Sequence, residues 1–135
     1  MSEIDAAKIW SLNYRVLSSV IASVQADIGA LGLEAKELFL LAEVDEHPYP
    51  AELAATLTMP KPTVTLYLKR LEAAGFVRRE IDPADLRRHR LLLTDSGRRA
   101  TADGLALLAR EFDKRLERIS AAQRNELKNL LEKIL

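Results

Sequence analysis

AELAATLTMPKPTVTLYLKRLEAAGFV (residues 51–77), followed directly by RREIDPADLRRHRLLLTDSG (residues 78–97), carries the chemistry of this chain. Its pattern is a short helix at Ala51–Leu57, a turn at Thr58-Met59-Pro60, and a second helix over about residues 61–74. Pro62 suits the first turn of that helix, where a missing N–H costs nothing. Gly75 suits its left-handed end, with Phe76 packing back on the last turn. Phe76–Ile81 and Arg90–Thr94 then read as short strands, separated by the proline turn Asp82-Pro83-Ala84-Asp85. Two helices, a tight turn, a strand, an arginine-rich loop and a second strand make a helix-turn-helix with a β-wing.

Working outward, Ser2 and Asp5 suit the start of a long helix over about residues 4–29. Ile4, Tyr14, Leu17, Ile21, Val24 and Ile28 recur on one of its faces. A helix of that length, about 39 Å, overruns one small core and calls for a second subunit. Gly29 and Gly32 end it, and a helix from about Glu34 to Val44 follows, with Leu38, Phe39 and Leu41 turned inward. His47-Pro48-Tyr49-Pro50 reads as a loop, because two prolines block helix there. Downstream, Thr94 caps a helix running to about Ile119, with Leu105, Leu108, Phe112, Leu116 and Ile119 on one face. Ser120 and Gln123 form a capping box for a last helix faced by Leu127, Leu130, Leu131 and Ile134. The expected fold is mainly α with a small β-wing, in one domain over residues 1–135. Residues 34–97 form the winged helix-turn-helix lobe, and residues 1–33 and 98–135 the helical dimerisation region.

The 135 residues suit one compact domain, and 48% hydrophobic content allows a core. Lys and Arg number 20, as do Asp and Glu, so the net charge alone argues against a nucleic-acid partner. The distribution argues for one. Residues 1–60 hold three Lys or Arg against nine acids, whereas residues 61–99 hold ten against five. A basic segment in an acidic body is the footprint of local phosphate binding. Cysteine is absent, which removes disulfides, thiolate metal sites and thiol redox sensing. His47 and His89 lack ligand spacing, so neither a metal nor a cofactor is expected. MSEIDAAKIW does not read as a signal peptide, and no apolar run has the length of a membrane span. A soluble, cytoplasmic chain is expected. No nucleophile–base pair, acid pair or phosphate-binding glycine loop points to an enzyme, and the five glycines sit mostly at helix ends.

In the helix-turn-helix, Leu53, Leu57, Met59, Val64, Leu68 and Leu71 supply the buried positions, and Ala54 the small residue where the helices cross. The outward face of helix 61–74 presents Lys61, Thr63, Thr65, Leu66, Lys69 and Arg70, with Pro62 in its first turn. Thr63 and Thr65 suit base edges or phosphates, Leu66 a thymine methyl, and the three cations phosphates. The wing adds Arg87, Arg88, His89 and Arg90 at a hairpin thin enough for the minor groove. Asp85, two residues before Arg87, can aim its guanidinium. The competing reading is an edge hairpin kept soluble by its arginines, in a lobe that holds protein rather than DNA.

These residues resemble the MarR (multiple antibiotic resistance regulator) family of transcription factors, over nearly the whole chain. The resemblance rests on Leu31-Gly-Leu33, Glu52-Leu-Ala54, Pro62-Thr-Val-Thr65, Arg70-Leu-Glu72 and Ala74-Gly-Phe-Val77. It continues through Asp82-Pro-x-Asp85-x-Arg87 and Leu93-Thr-x-x-Gly97. It implies a triangular homodimer with interlocked terminal helices and two winged lobes on successive major grooves of a pseudo-palindromic double-stranded operator. A repressor is the expected type. The resemblance makes Arg87 the minor-groove residue and Asp85 its orienting partner. Leu66 and Leu86 stand where the family often has arginine, and Pro60 replaces a usual capping serine. Dimerisation also follows from the apolar termini, with Tyr14, Leu17, Ile21, Phe112, Leu127, Leu130, Leu131 and Ile134 as interface candidates.

Many members of the family release DNA on binding a small aromatic or anionic molecule between the helix bundle and the winged lobe. Trp10, Tyr14, Arg15, Phe39 and Tyr49 are the candidates for such a site here. Trp10 and Tyr14 equally suit a core or interface, and Arg15 an ion pair with a neighbouring acid.

Overall fold

The computed structural model describes residues 3–135, with side chains from Asp5 onward. Ser2 and the side chain of Ile4 lie outside the described residues. The order is α1 (Glu3–Ala30), α2 (Ala35–Glu43), α3 (Pro50–Leu57), α4 (Lys61–Ala73), β1 (Val77–Ile81), β2 (His89–Leu93), α5 (Asp95–Leu116) and α6 (Ala121–Ile134). The chain divides into two compact units: the residues up to Val24 with Leu108–Leu135, and Gln25–Leu107. The second unit is wider than the expected lobe of residues 34–97, since it takes in the end of α1 and the first half of α5.

The core of the Gln25–Leu107 unit explains that width. Ile28 of α1 is fully buried, as are Leu38, Leu40 and Leu41 of α2, Leu53 of α3, and Leu68 of α4. Leu57 and Met59, expected inside, are half-buried. The face that α5 turns to this core is built of small residues: Gly97, Ala100, Thr101 and Gly104. A Cβ on Gly104 would come within 2.6 Å of Leu38 Cδ1, and one on Gly97 would collide with the Phe76 carbonyl. These two glycines permit close approach inside a helix, unlike the glycines at helix ends.

Three helix ends share one hydrogen-bond pattern. Leu33 N–H donates to the Ile28 carbonyl at 3.3 Å, Met59 to Ala54 at 2.9 Å, and Phe76 to Leu71 at 2.9 Å. Each is a Schellman-type closure, which needs a left-handed residue just before the donor. Gly32 (φ 85°) and Gly75 (φ 79°) fill two of these places, and Thr58 (φ 52°) the third, at the turn of the helix-turn-helix. Pro50 belongs to α3 rather than the preceding loop, because an N1 proline has no partner to lose. The α5 N-terminus is capped as expected: Gly97 N–H donates to Thr94 Oγ1 at 3.0 Å. It ends at Leu116, three residues before the expected Ile119.

β1 and β2 pair antiparallel, in the register Val77 with Leu93, Arg79 with Leu91, and Ile81 with His89. His89 is therefore a strand residue, and the wing loop spans 82–88. Leu91 N–H also donates to the Pro48 carbonyl at 2.7 Å, tying β2 to the segment before α3.

In the other unit, Val20 and Val24 are buried, whereas Tyr14 and Leu17 are 60% and 55% exposed. The Ser120–Gln123 capping box is formed, with Gln123 N–H donating to Ser120 Oγ at 3.1 Å. α6 buries none of its residues within one chain. Arg124 of α6 pairs with Asp113 of α5. Among the described residues no single helix is long and apolar enough to cross a membrane.

Candidate nucleic-acid interface

α4 is amphipathic for a local reason. Val64, Leu68 and Leu71, spaced by four and three, are buried, so the residues between them face outward. Lys61, Pro62, Thr65, Leu66, Lys69 and Arg70 are exposed, and Thr63 is half-buried at the N-terminal turn. Thr65 Oγ1 donates to the Lys61 carbonyl at 3.0 Å, which leaves its lone pairs outward as acceptors. Arg70 is tethered: Nη1 stands 3.4 Å from Glu34 Oε1, and its guanidinium lies over the half-buried Tyr67 ring. Tyr67 had no place in the sequence reading. Lys61 and Lys69 carry no ion pair among the described residues.

The wing loop folds on its own backbone. Asp82 N–H donates to the Arg88 carbonyl, and Arg88 N–H to the Asp85 carbonyl, both at 2.9 Å. Two aspartates finish the turn as side-chain acceptors. Asp82 Oδ1 takes Ala84 N–H at 2.9 Å, and Asp85 Oδ1 takes Arg87 N–H at 3.0 Å. Asp85 Oδ1 also lies 3.5 Å from Arg87 Nε, a loose side-chain contact added to a firm backbone one. Arg87 itself is 92% exposed at the tip. Leu86 beside it is 78% exposed.

The other wing cations are held. Arg88 lies with its guanidinium carbon 3.6 Å from the centre of the Tyr49 ring. The Tyr49 hydroxyl donates to Asp82 Oδ2, and Asp82 is buried. That hydrogen bond, then the Ala84 N–H, holds the Asp82 carboxyl below its usual range. The same bond raises the Tyr49 phenol. Arg90 Nη2 stands 3.4 Å from Glu80 Oε2, while Arg90 Nε is buried without a hydrogen-bond partner among the described residues. Glu80 is lowered chiefly by its bond to Arg78, at 2.6 Å. His89 is exposed at the start of β2. Arg98 of α5 pairs with Asp45 at 2.9 Å, which raises the guanidinium further.

Trp10 and Tyr14, proposed for an effector, stack with centroids 5.4 Å apart on exposed α1. On another face of α1 a groove of about 330 Å³ is lined by Leu12, Arg15, Val16, Ser19 and Arg115, so of the proposed effector residues it takes in Arg15 but neither Trp10 nor Tyr14. Arg115 Nη1 donates to Ser19 Oγ at 2.7 Å. Arg115 was missed in the sequence, since only folding brings α5 to this face. Phe39 and Tyr49 belong to the other unit, Phe39 half-buried in α2 and Tyr49 under the wing. Of the proposed interface residues, Leu17, Leu130, Leu131 and Ile134 are exposed, and Ile21, Phe112 and Leu127 half-buried.

A helix-turn-helix with a free-faced second helix and an arginine-tipped β-wing defines a winged-helix DNA-binding regulator. The chain belongs to the MarR family. The MarR family profile matches residues 33–89. The chain is 33% identical over 133 residues to the HTH-type transcriptional repressor Rv2887 of Mycobacterium tuberculosis, covering 96% of this chain and 95% of the relative. Among solved structures it is similar to CouR from Rhodococcus jostii RHA1 bound to p-coumaroyl-CoA, at TM-score 0.82 and 25% identity over 98% of this chain and 95% of that one. It is also similar to the transcriptional repressor CouR bound to a 23-mer DNA duplex, at TM-score 0.75 and 28% identity over 94% and 89% of the two chains. The protein is a regulator of transcription and not an enzyme.

Proposed function

We propose that this chain acts in the cytoplasm as a homodimeric repressor. The N-terminal half of α4 enters the major groove of each half-site, and the wing enters the adjacent minor groove. The observation that carries the reading is the outward face of α4, where Lys61, Thr65, Leu66 and Lys69 stand exposed, next to a wing tip whose Arg87 is 92% exposed. Lys61 and Lys69 neutralise phosphates, Thr63 and Thr65 reach base edges, and Arg87 follows the negative potential of the narrow groove. α6, which buries nothing within one chain, supports the dimer, together with the exposed Tyr14 and Leu17. The DNA-bound relative CouR supports the same reading. Selection of bound fragments from genomic DNA should return a pseudo-palindrome. Failure to bind any fragment at low salt would favour a protein-binding lobe instead.

A small aromatic or anionic effector is the second part of the proposal. Arg15, Ser19 and Arg115 line one groove with Leu12 and Val16, and offer a carboxylate or phosphate end beside an apolar wall. The relative CouR is bound to an aromatic acyl-CoA. Small aromatic acids and their thioesters should release the operator from the wild type, and less readily from Arg15→Ala.

A further inference from the structure

Tyr49 lies 33 residues from Asp82 in sequence and yet is bonded to it. Its ring carries Arg88, the residue whose carbonyl accepts Asp82 N–H. One aromatic side chain thus touches both ends of the wing loop. The adjoining Pro48 carbonyl holds β2 through Leu91 N–H at 2.7 Å. Arg88 is consequently drawn down onto a ring, while Arg87 stands clear of it.

We propose that Tyr49 is a positioning residue for DNA binding: with Asp82 and Arg88 it clamps the wing loop to the segment before α3. Arg87 is left to meet the DNA, and Arg88 serves the clamp. This deepens the proposed function and rests on its assignment of the wing to DNA. A loose wing spreads Arg87 over many positions, and ordering it on DNA then costs binding free energy. A residue that only orders the wing lowers affinity without touching the number of phosphates neutralised, so the salt slope stays as it was.

The test uses the full-length protein and the selected operator, with anisotropy titrations over a range of salt. Tyr49→Ala and Arg88→Ala should each weaken binding roughly three- to tenfold, the scale of one stacking or hydrogen-bonding contact, with the slope unchanged. The double variant should be no weaker than the worse single one, because both remove the same clamp. Tyr49→Phe, which keeps the ring under Arg88, should recover part of the loss. Amide exchange across residues 82–91 should quicken in Tyr49→Ala by more than exchange in α2 and α4 of the same variant, so that a general loss of stability is told apart from a loosened wing. A salt slope that falls by about one unit in Arg88→Ala would make that arginine a phosphate contact and overturn the assignment. Wild-type affinity in Tyr49→Ala, or wing exchange that does not change, would equally overturn it. If the wild type binds no duplex, the DNA reading falls, and the exchange experiment still decides the clamp.

Discussion

Arg87 and Asp82 divide the work of the wing. Arg87, held at its backbone by Asp85, presents a nearly free guanidinium. Replacing it by alanine should weaken operator binding and lower the slope of log affinity against log salt by about one unit. Anisotropy at several salt concentrations checks this, and an unchanged slope would remove Arg87 from the contacts. Asp82 works by titration. Its depressed folded-state pKa contributes stability that is complete above the ordinary carboxylate value and lost as pH falls through the folded value. The raised Tyr49 phenol contributes stability present below its ordinary value of 10.0 and lost as pH rises through the raised one. Arg88 and Arg90 also face Asp82, and Glu52 faces Tyr49. Denaturant midpoints of Asp82→Asn should decline less steeply in acid than those of the wild type. Parallel acid limbs would show that this carboxylate does not drive the loss. The Asp85–Arg87 relation was legible in the sequence because it spans two residues of one turn. The Tyr49–Asp82 relation was not, since nothing local distinguishes Tyr49 from a residue of an apolar pocket.

The elements α3 and α4 meet at a turn whose geometry falls on Thr58. A β-branched residue at φ 52° is strained where Gly32 and Gly75 hold the equivalent places elsewhere. Thr58→Gly should therefore raise stability by about 0.5–1 kcal/mol, the relieved strain exceeding the added backbone freedom of the unfolded chain. Calorimetry would detect it, and a lower melting temperature would mean that Thr58 makes up the strain through contacts of its own. Gly104 is the opposite case. Leu38 is fully buried and its side chain must shift within a packed core to admit the Cβ, so Gly104→Ala should cost about 1–3 kcal/mol. A neutral effect in denaturant titration would show that α2 and α5 can separate. Helix existence, order and most caps were legible, because capping boxes, Schellman ends and 3.6-residue periodicity are local. The small-residue face of α5 was not: a glycine at a helix end and one at a helix crossing look the same in sequence.

For the whole molecule, the terminal helices are the unsatisfied part of a single chain. A helix with no buried residue and apolar side chains at Leu127, Leu130, Leu131 and Ile134 gains little by folding alone. Leu131→Glu should convert dimer to monomer in sedimentation and weaken operator binding about tenfold or more, as the gain from two linked half-sites is lost. A dimer that persists with full affinity would move the interface elsewhere. The sequence by itself determined the helix-turn-helix, the wing, the basic segment in an acidic body and the apolar ends. Each of these is written in periodicity, turn chemistry or charge over a few tens of residues. Only the tertiary structure decided which arginines are free and which are engaged, which glycines permit close packing, and that Tyr49 sits beneath the wing. Those outcomes depend on contacts between residues far apart in the chain, where free energy is set by proximity in space and no local pattern records it.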